Sequence, residues 1–96
     1  MDLPPLDLRL TIHPRVSVRP EPFGALLYHF GTRQLSFLKD RTLLGIVQSL
    51  DGDRSLGEAI ELEGVTPDRV DRYRRAIGTL MASSMLVPAA RTEAAA

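Results

Sequence analysis

The spacing of apolar positions along this chain changes once, near residue 40. Before that point it alternates. Leu6, Leu8, Leu10 and Ile12 are interleaved with Asp7, Arg9, Thr11 and His13, the pattern of a half-buried strand. Val16 and Val18 share one face of a second short segment held between Pro14 and Pro20, and "EPFG" turns the chain into "GALLYHFGTRQLSFL", two apolar runs around a glycine. With Gly31 and Thr32 at the centre of a type II′ turn, Tyr28 faces Leu35 and Leu26 faces Phe37. One face of that hairpin carries Leu26, Tyr28, Phe30, Arg33, Leu35 and Phe37, the other Ala25, Leu27, His29, Gln34, Ser36 and Leu38. The aromatic face is the expected core face; the mixed one is left for solvent, the N-terminal arm or a partner.

From Asp40 the period becomes helical. Asp40 is the expected N-cap of a helix with the stripe Leu43, Leu44, Ile46, Val47 and Leu50, stopping at the turn "DGD". Ser55 and Glu58 stand at capping-box spacing and open a short second helix through Leu56, Ala59, Ile60 and Leu62, ending near Gly64. Thr66 is the expected cap of a third, with Pro67 as its first residue and the stripe Val70, Tyr73, Ile77, Leu80 and Met81. "LVP" at 86–88 reads as one more short strand or an apolar seal. The order predicts an α+β fold, a three-stranded antiparallel sheet followed by a three-helix bundle, with helices two and three forming a helix-turn-helix-like pair across "GVT". Residues 1–13 are expected to be an arm or an extra strand, 14–88 the domain, and 89–96 a flexible tail.

Composition narrows what such a domain does. At 96 residues there is room for one core. The absence of cysteine removes thiolate metal sites, thiol nucleophiles and disulfides, and suits a reducing cytoplasm. Twelve basic and twelve acidic residues cancel, so no global field attracts nucleic acid or an anionic membrane. The start "MDLPPLDLRL" has neither the basic opening nor the apolar run of a signal peptide, and no apolar stretch is long enough to span a bilayer. A cytoplasmic protein is expected.

Catalytic chemistry is sparse. His13 and His29 are the chain's two histidines, and His29, in a strand, reads as structural. The glycines match neither phosphate-cradling nor dinucleotide fingerprints, and "DGDRS" has half of a calcium loop without its distal glutamate, so it reads as a turn. Neither a cofactor nor a metal site is expected. Arg69, Arg72, Arg74 and Arg75 gather on helix three, interspersed with Asp68 and Asp71. They form either a solvated face or an anchor for acidic side chains. If the first strands pair in chain order, "QLSFL" is the outer strand, and it lacks the charges, prolines or bulges that protect an edge. An unprotected edge is a template for a guest strand.

The stretch "VRPEPFGALLYHFGTRQLSFLK" followed by three helices resembles the family of small peptide chaperones of mycofactocin biosynthesis. More distantly, it is similar to the PqqD-like recognition domains of ribosomally made peptide products. The match is close over residues 15–50 and compatible to about residue 88. The resemblance implies a winged helix-turn-helix domain that binds the leader of a precursor peptide between the third strand and the third helix. It further implies delivery of that peptide to a radical S-adenosylmethionine maturase, without a cofactor of the chaperone's own. The implied contacts are Gln34, Leu35, Ser36, Phe37 and Leu38 on the strand, with Arg69, Arg72, Tyr73 and Ala76 on the helix. The alternating arm lies outside the resemblance and leaves a homodimer contact open.

The expected activity is therefore non-enzymatic, an adaptor that raises the effective concentration of a core peptide at a partner's active site. The competing reading is a winged-helix DNA-binding regulator, because arginines on the second helix of a helix-turn-helix suit a major groove. Zero net charge, and Asp68 and Asp71 at the helix start, count against it.

Overall fold

In the computed structural model, which describes residues 3–89, the chain runs β1 (Arg9–Ile12), β2 (Val16–Glu21), β3 (Gly24–His29), β4 (Leu35–Leu38), α1 (Arg41–Ser49), β5 (Asp51–Ser55), α2 (Leu56–Leu62), α3 (Val70–Ala82) and β6 (Leu86–Pro88). The class is α+β, as expected. The strands form two antiparallel three-stranded sheets, a meander β2-β3-β4 and a second sheet in the order β5-β1-β6. The tail expected from residue 89 lies, from residue 90 on, outside the described residues.

The second sheet was not visible as local pattern. "DGDRS" is a strand rather than a turn: Arg9 pairs with Ser55 and Thr11 with Asp51, with a register shift between them. Gly52 absorbs that irregularity at φ 90°, while the Asp51 carboxylate accepts from the backbone N–H of Asp53 and Arg54 at 3.0 and 2.9 Å. "LVP" closes the other side of β1, with Leu10 opposite Pro88 and Ile12 opposite Leu86. β1 is thus a central strand, and Leu10 is fully buried. The residues before it are also tied down. Leu56 and Gly57 donate their N–H groups to the carbonyls of Leu8 and Leu6, and Arg74 donates its Nε to the carbonyl of Pro4 at 2.9 Å.

The helix starts follow their capping chemistry. The Asp40 carboxylate accepts from the N–H of Thr42 and Leu43 at the start of α1, and Ser55 and Glu58 complete a capping box on α2. Thr66 departs from expectation. Its side chain caps nothing, Pro67–Arg69 is a single 3₁₀ turn, and α3 begins at Val70. Leu43, Ile46 and Val47 of α1, Leu56, Ala59 and Ile60 of α2, and Tyr73, Ile77 and Leu80 of α3 meet in one core beneath both sheets.

The β3–β4 hairpin keeps its expected register, with Leu26 opposite Phe37 and Tyr28 opposite Leu35, but its faces are inverted. Ala25, Leu27, His29 and Leu38 are buried, whereas Phe30, Leu35 and Phe37 are each more than half exposed. β2 explains the inversion. It pairs Val16 with His29 and Val18 with Leu27, and it places Arg19 beside Leu26 and Ser17 beside Tyr28. Burying the aromatic face would take Arg19 and Glu21 with it, and desolvating two charges costs several kcal/mol each. The valines make the opposite face the inexpensive one to bury.

The hairpin turn also differs. Gly31 is not in the left-handed region; Arg33 is, at φ 64°. His29 donates its N–H to the Gln34 carbonyl at 2.9 Å and accepts at its own carbonyl from Arg33 at 2.7 Å, closing a loop of Phe30 to Arg33. The buried imidazole organises that loop, since Nδ1 accepts from the N–H of Gly31 and Thr32 at 2.9 and 3.1 Å. Its structural reading stands. The register survives because both turns have the same midpoint.

Candidate functional site

β4 is an edge strand whose outward main-chain groups can be named. His29 and Gln34 form a hydrogen-bonded pair, so alternation makes Leu27–Ser36 and Ala25–Leu38 bonded pairs and Tyr28–Leu35 and Leu26–Phe37 non-bonded ones. The N–H and C=O of Leu35 and Phe37 therefore leave the sheet along its outer edge. Among the described residues, no loop, turn or side-chain hydrogen bond reaches them.

The opposite edge of the same sheet is guarded. Along β2 the outward positions are Val16, Val18 and Pro20, by the same alternation from the Phe30 N–H to Arg15 carbonyl bond. Val16 turns its N–H into the carbonyl of His13 at 2.9 Å, and Pro20 has none to offer. Among the described residues that edge keeps one free donor, at Val18, beside outward carbonyls; the β4 edge keeps two donors and two acceptors side by side.

The side chains around this edge divide sharply. Leu35 and Phe37 point to the outer face, Ser36 is half-buried and Leu38 belongs to the core. Gln34 is exposed at the mouth of the loop, its carbonyl already engaged by His29. The outer face extends beyond the expected residues. The ring of Phe23 lies 6.3 Å from that of Phe37, and Tyr28 meets Phe30 edge-to-face at 4.9 Å. The signal that would have found these rings was the pair Arg19–Glu21, a 3.0 Å ion pair on the same face that keeps it outward.

Of the helix residues, Tyr73 is brought to the base of β4. Its side chain is buried and its hydroxyl donates to Asp40 Oδ2 at 2.8 Å, two residues beyond the strand. Burial pushes the Asp40 carboxyl up, but the Tyr73 hydroxyl, the N–H groups of Thr42 and Leu43 and nearby Arg72 outweigh it and hold the group below its ordinary value. Burial, together with that hydrogen bond to a carboxylate, raises the Tyr73 phenol. Arg72 is exposed, with its guanidinium 5.8 Å from the centre of the Tyr73 ring. Ala76 is half-buried against the core. Arg69 stands apart from the strand, lining a depression of about 420 Å³ with Thr42, Glu63, Thr66, Asp68 and Tyr73 that no residue of β4 borders.

The described residues contain no cluster of three or more histidine, aspartate or glutamate side chains able to hold a metal ion, and no helix long and apolar enough to cross a membrane. What the site offers is main-chain donors and acceptors, apolar side chains and exposed guanidinium groups. Such groups are the means by which a sheet edge takes up a further strand.

No solved structure matches the chain. The model of the peptide chaperone MftB family matches residues 9–87, which spans both sheets and all three helices. The chain is 51% identical over 82 residues to the peptide chaperone MftB of Mycolicibacterium smegmatis, covering 85% of this chain and 80% of that protein. It is 54% identical over 77 residues to the peptide chaperone MftB of Mycobacterium tuberculosis, covering 80% of this chain and 71% of the relative. It is 52% identical over 77 residues to the peptide chaperone MftB of Mycobacterium ulcerans, covering 80% of this chain and 71% of that relative. With the family model matched over residues 9–87 of the 96, this chain belongs to the peptide chaperone MftB family.

Proposed function

We propose that the chain is a non-enzymatic adaptor that binds the leader of a ribosomally synthesised precursor, the mycofactocin precursor peptide, as a strand added to β4, and presents it to a radical S-adenosylmethionine maturase in the cytoplasm. The observation that carries this reading is the asymmetry of the β2-β3-β4 sheet, with one edge guarded by Pro20 and the other open at Leu35 and Phe37. Gln34 to Leu38 supply the strand, exposed Arg72 and half-buried Ala76 the helix surface, and Tyr73 lies buried beneath it, holding Asp40; Arg69 is the outlying member of the set. The helix-turn-helix pair of α2 and α3 with the sheet beside it suits a winged helix-turn-helix description, in a domain that takes in β1 together with residues 14–88.

The DNA-binding alternative has less support. Arg74 is engaged by Pro4 and by Asp71 at 3.1 Å, which removes one of the four helix arginines from any groove contact. Titration of a labelled precursor peptide tests the reading: saturation at one site is expected, with amide protection rising at residues 34–38 and binding weakened in Phe37→Arg. Normal folding with unchanged binding in that variant would remove the edge-strand site. Binding that instead collapses steeply with salt on duplex DNA would favour the alternative.

A further inference from the structure

We propose that the outer face of the β2-β3-β4 sheet, not the edge alone, reads the bound segment, and that this segment carries two apolar side chains at i and i+2 with carboxylates at i−2 and i+4. The proposal rests on the strand-addition reading above.

A strand laid along β4 sets alternate side chains on the outer face, directly opposite Leu35 and Phe37. Those two are 53% and 58% exposed and are backed by half-buried Tyr28 and Leu26 in the close, non-bonded pairs of the hairpin. Phe23 and Phe30 extend the apolar strip at its two ends. The polar residues of this face, Ser17, Arg19 and Glu21, are confined to β2 at the far side. A guest with polar side chains opposite Leu35 and Phe37 would leave the strip in water; apolar ones would close it.

The strip also has charged ends of one sign. Arg33 precedes β4 and Lys39 follows it, both exposed, and among the described residues neither has a carboxylate within 4 Å. In sequence these residues stand two positions outside Leu35 and Phe37, Arg33 in the hairpin loop and Lys39 just past the strand, and the proposal sets the matching carboxylates two residues outside the guest's apolar pair. The same charges disfavour a second copy of this chain. An antiparallel β4–β4 pairing that sets Leu35 against Phe37 of the other copy also sets Arg33 against its Lys39 at both ends, and like charges directly opposite are destabilising.

The test is selection of random peptides displayed on phage against the full chain, followed by binding and amide-exchange measurements on the enriched sequences. Enrichment of acidic-x-apolar-x-apolar-x-acidic is expected. Leu35→Ser and Phe37→Ser should each weaken those peptides tenfold or more, Arg33→Glu with Lys39→Glu should select basic flanks, and Leu62→Ser, on exposed α2 surface, should change little. Peptides that protect residues 34–38 but lack the alternation overturn this inference and leave the edge-strand reading standing. Peptides that bind without protecting those amides overturn both. Failure to enrich any sequence, whether or not the chain dimerises through β4, overturns the proposal.

Discussion

Tyr73 of α3 donates its hydroxyl to the carboxylate of Asp40, the residue that caps α1. One carboxylate thus joins the end of β4, the start of α1 and the third helix. Removing the donor in Tyr73→Phe should cost about 1 kcal/mol, the net worth of one hydrogen bond. Asp40→Ala should cost about 2 kcal/mol, since it removes the cap and leaves the buried phenol unpaired. A double-mutant cycle by chemical denaturation should show the two effects to be non-additive.

The same carboxylate gives a pH dependence of known sign. Asp40 is held below its ordinary value in the folded chain, so its contribution is complete above the ordinary aspartate range and is lost as pH falls through the depressed folded value. Acid unfolding of Asp40→Asn should be shallower than that of the parent across that window. An identical acid limb in the two proteins would rule this out.

Proline separates the edge from the ladder. The N–H of Leu35 points outward and that of Ser36 inward, by the hydrogen-bonded pairing of His29 with Gln34. Leu35→Pro should therefore fold, with little change in thermal midpoint, and lose precursor binding. Ser36→Pro should instead break an internal ladder bond and cost about 3 kcal/mol of stability.

The inverted faces predict opposite costs for similar truncations. Leu27→Ala removes a fully buried side chain and should destabilise by about 2 to 5 kcal/mol, whereas Leu35→Ala, on the exposed face, should stay within about 0.5 kcal/mol. Urea unfolding of the pair decides which face is the core.

Gly24 closes the β2–β3 turn at φ 149°, and a Cβ there would overlap the Leu38 carbonyl oxygen. Gly24→Ala should push the end of β4 off β3 and lower stability by more than about 2 kcal/mol. Loss of amide protection at Leu38 should accompany it.

Local chemistry was legible in the chain. The cap at Asp40, the capping box of Ser55 and Glu58 and the pairing of Leu26 with Phe37 each depend on residues close in sequence. β5 was not legible, because what makes "DGDRS" a strand is β1, whose paired residues lie forty or more positions earlier. The proposed contact positions Leu35 and Phe37 are legible as an edge strand, but the alternation alone points their side chains inward, and it gives no sign that the rings beside them, Phe23, Tyr28 and Phe30, lie on the surface.

The sequence by itself determined where the first two helices start, which residues pair across the β3–β4 hairpin and that its last strand carries no protection. Those follow from nearest-neighbour chemistry. Only the tertiary structure decided which face of that hairpin turns to solvent and that the N-terminal segment becomes the middle of a second sheet. Alternation says that two faces differ; which one is buried depends on the strand laid beside it, and here Val16 and Val18 on one side of β2, with Arg19 and Glu21 on the other, settled the matter.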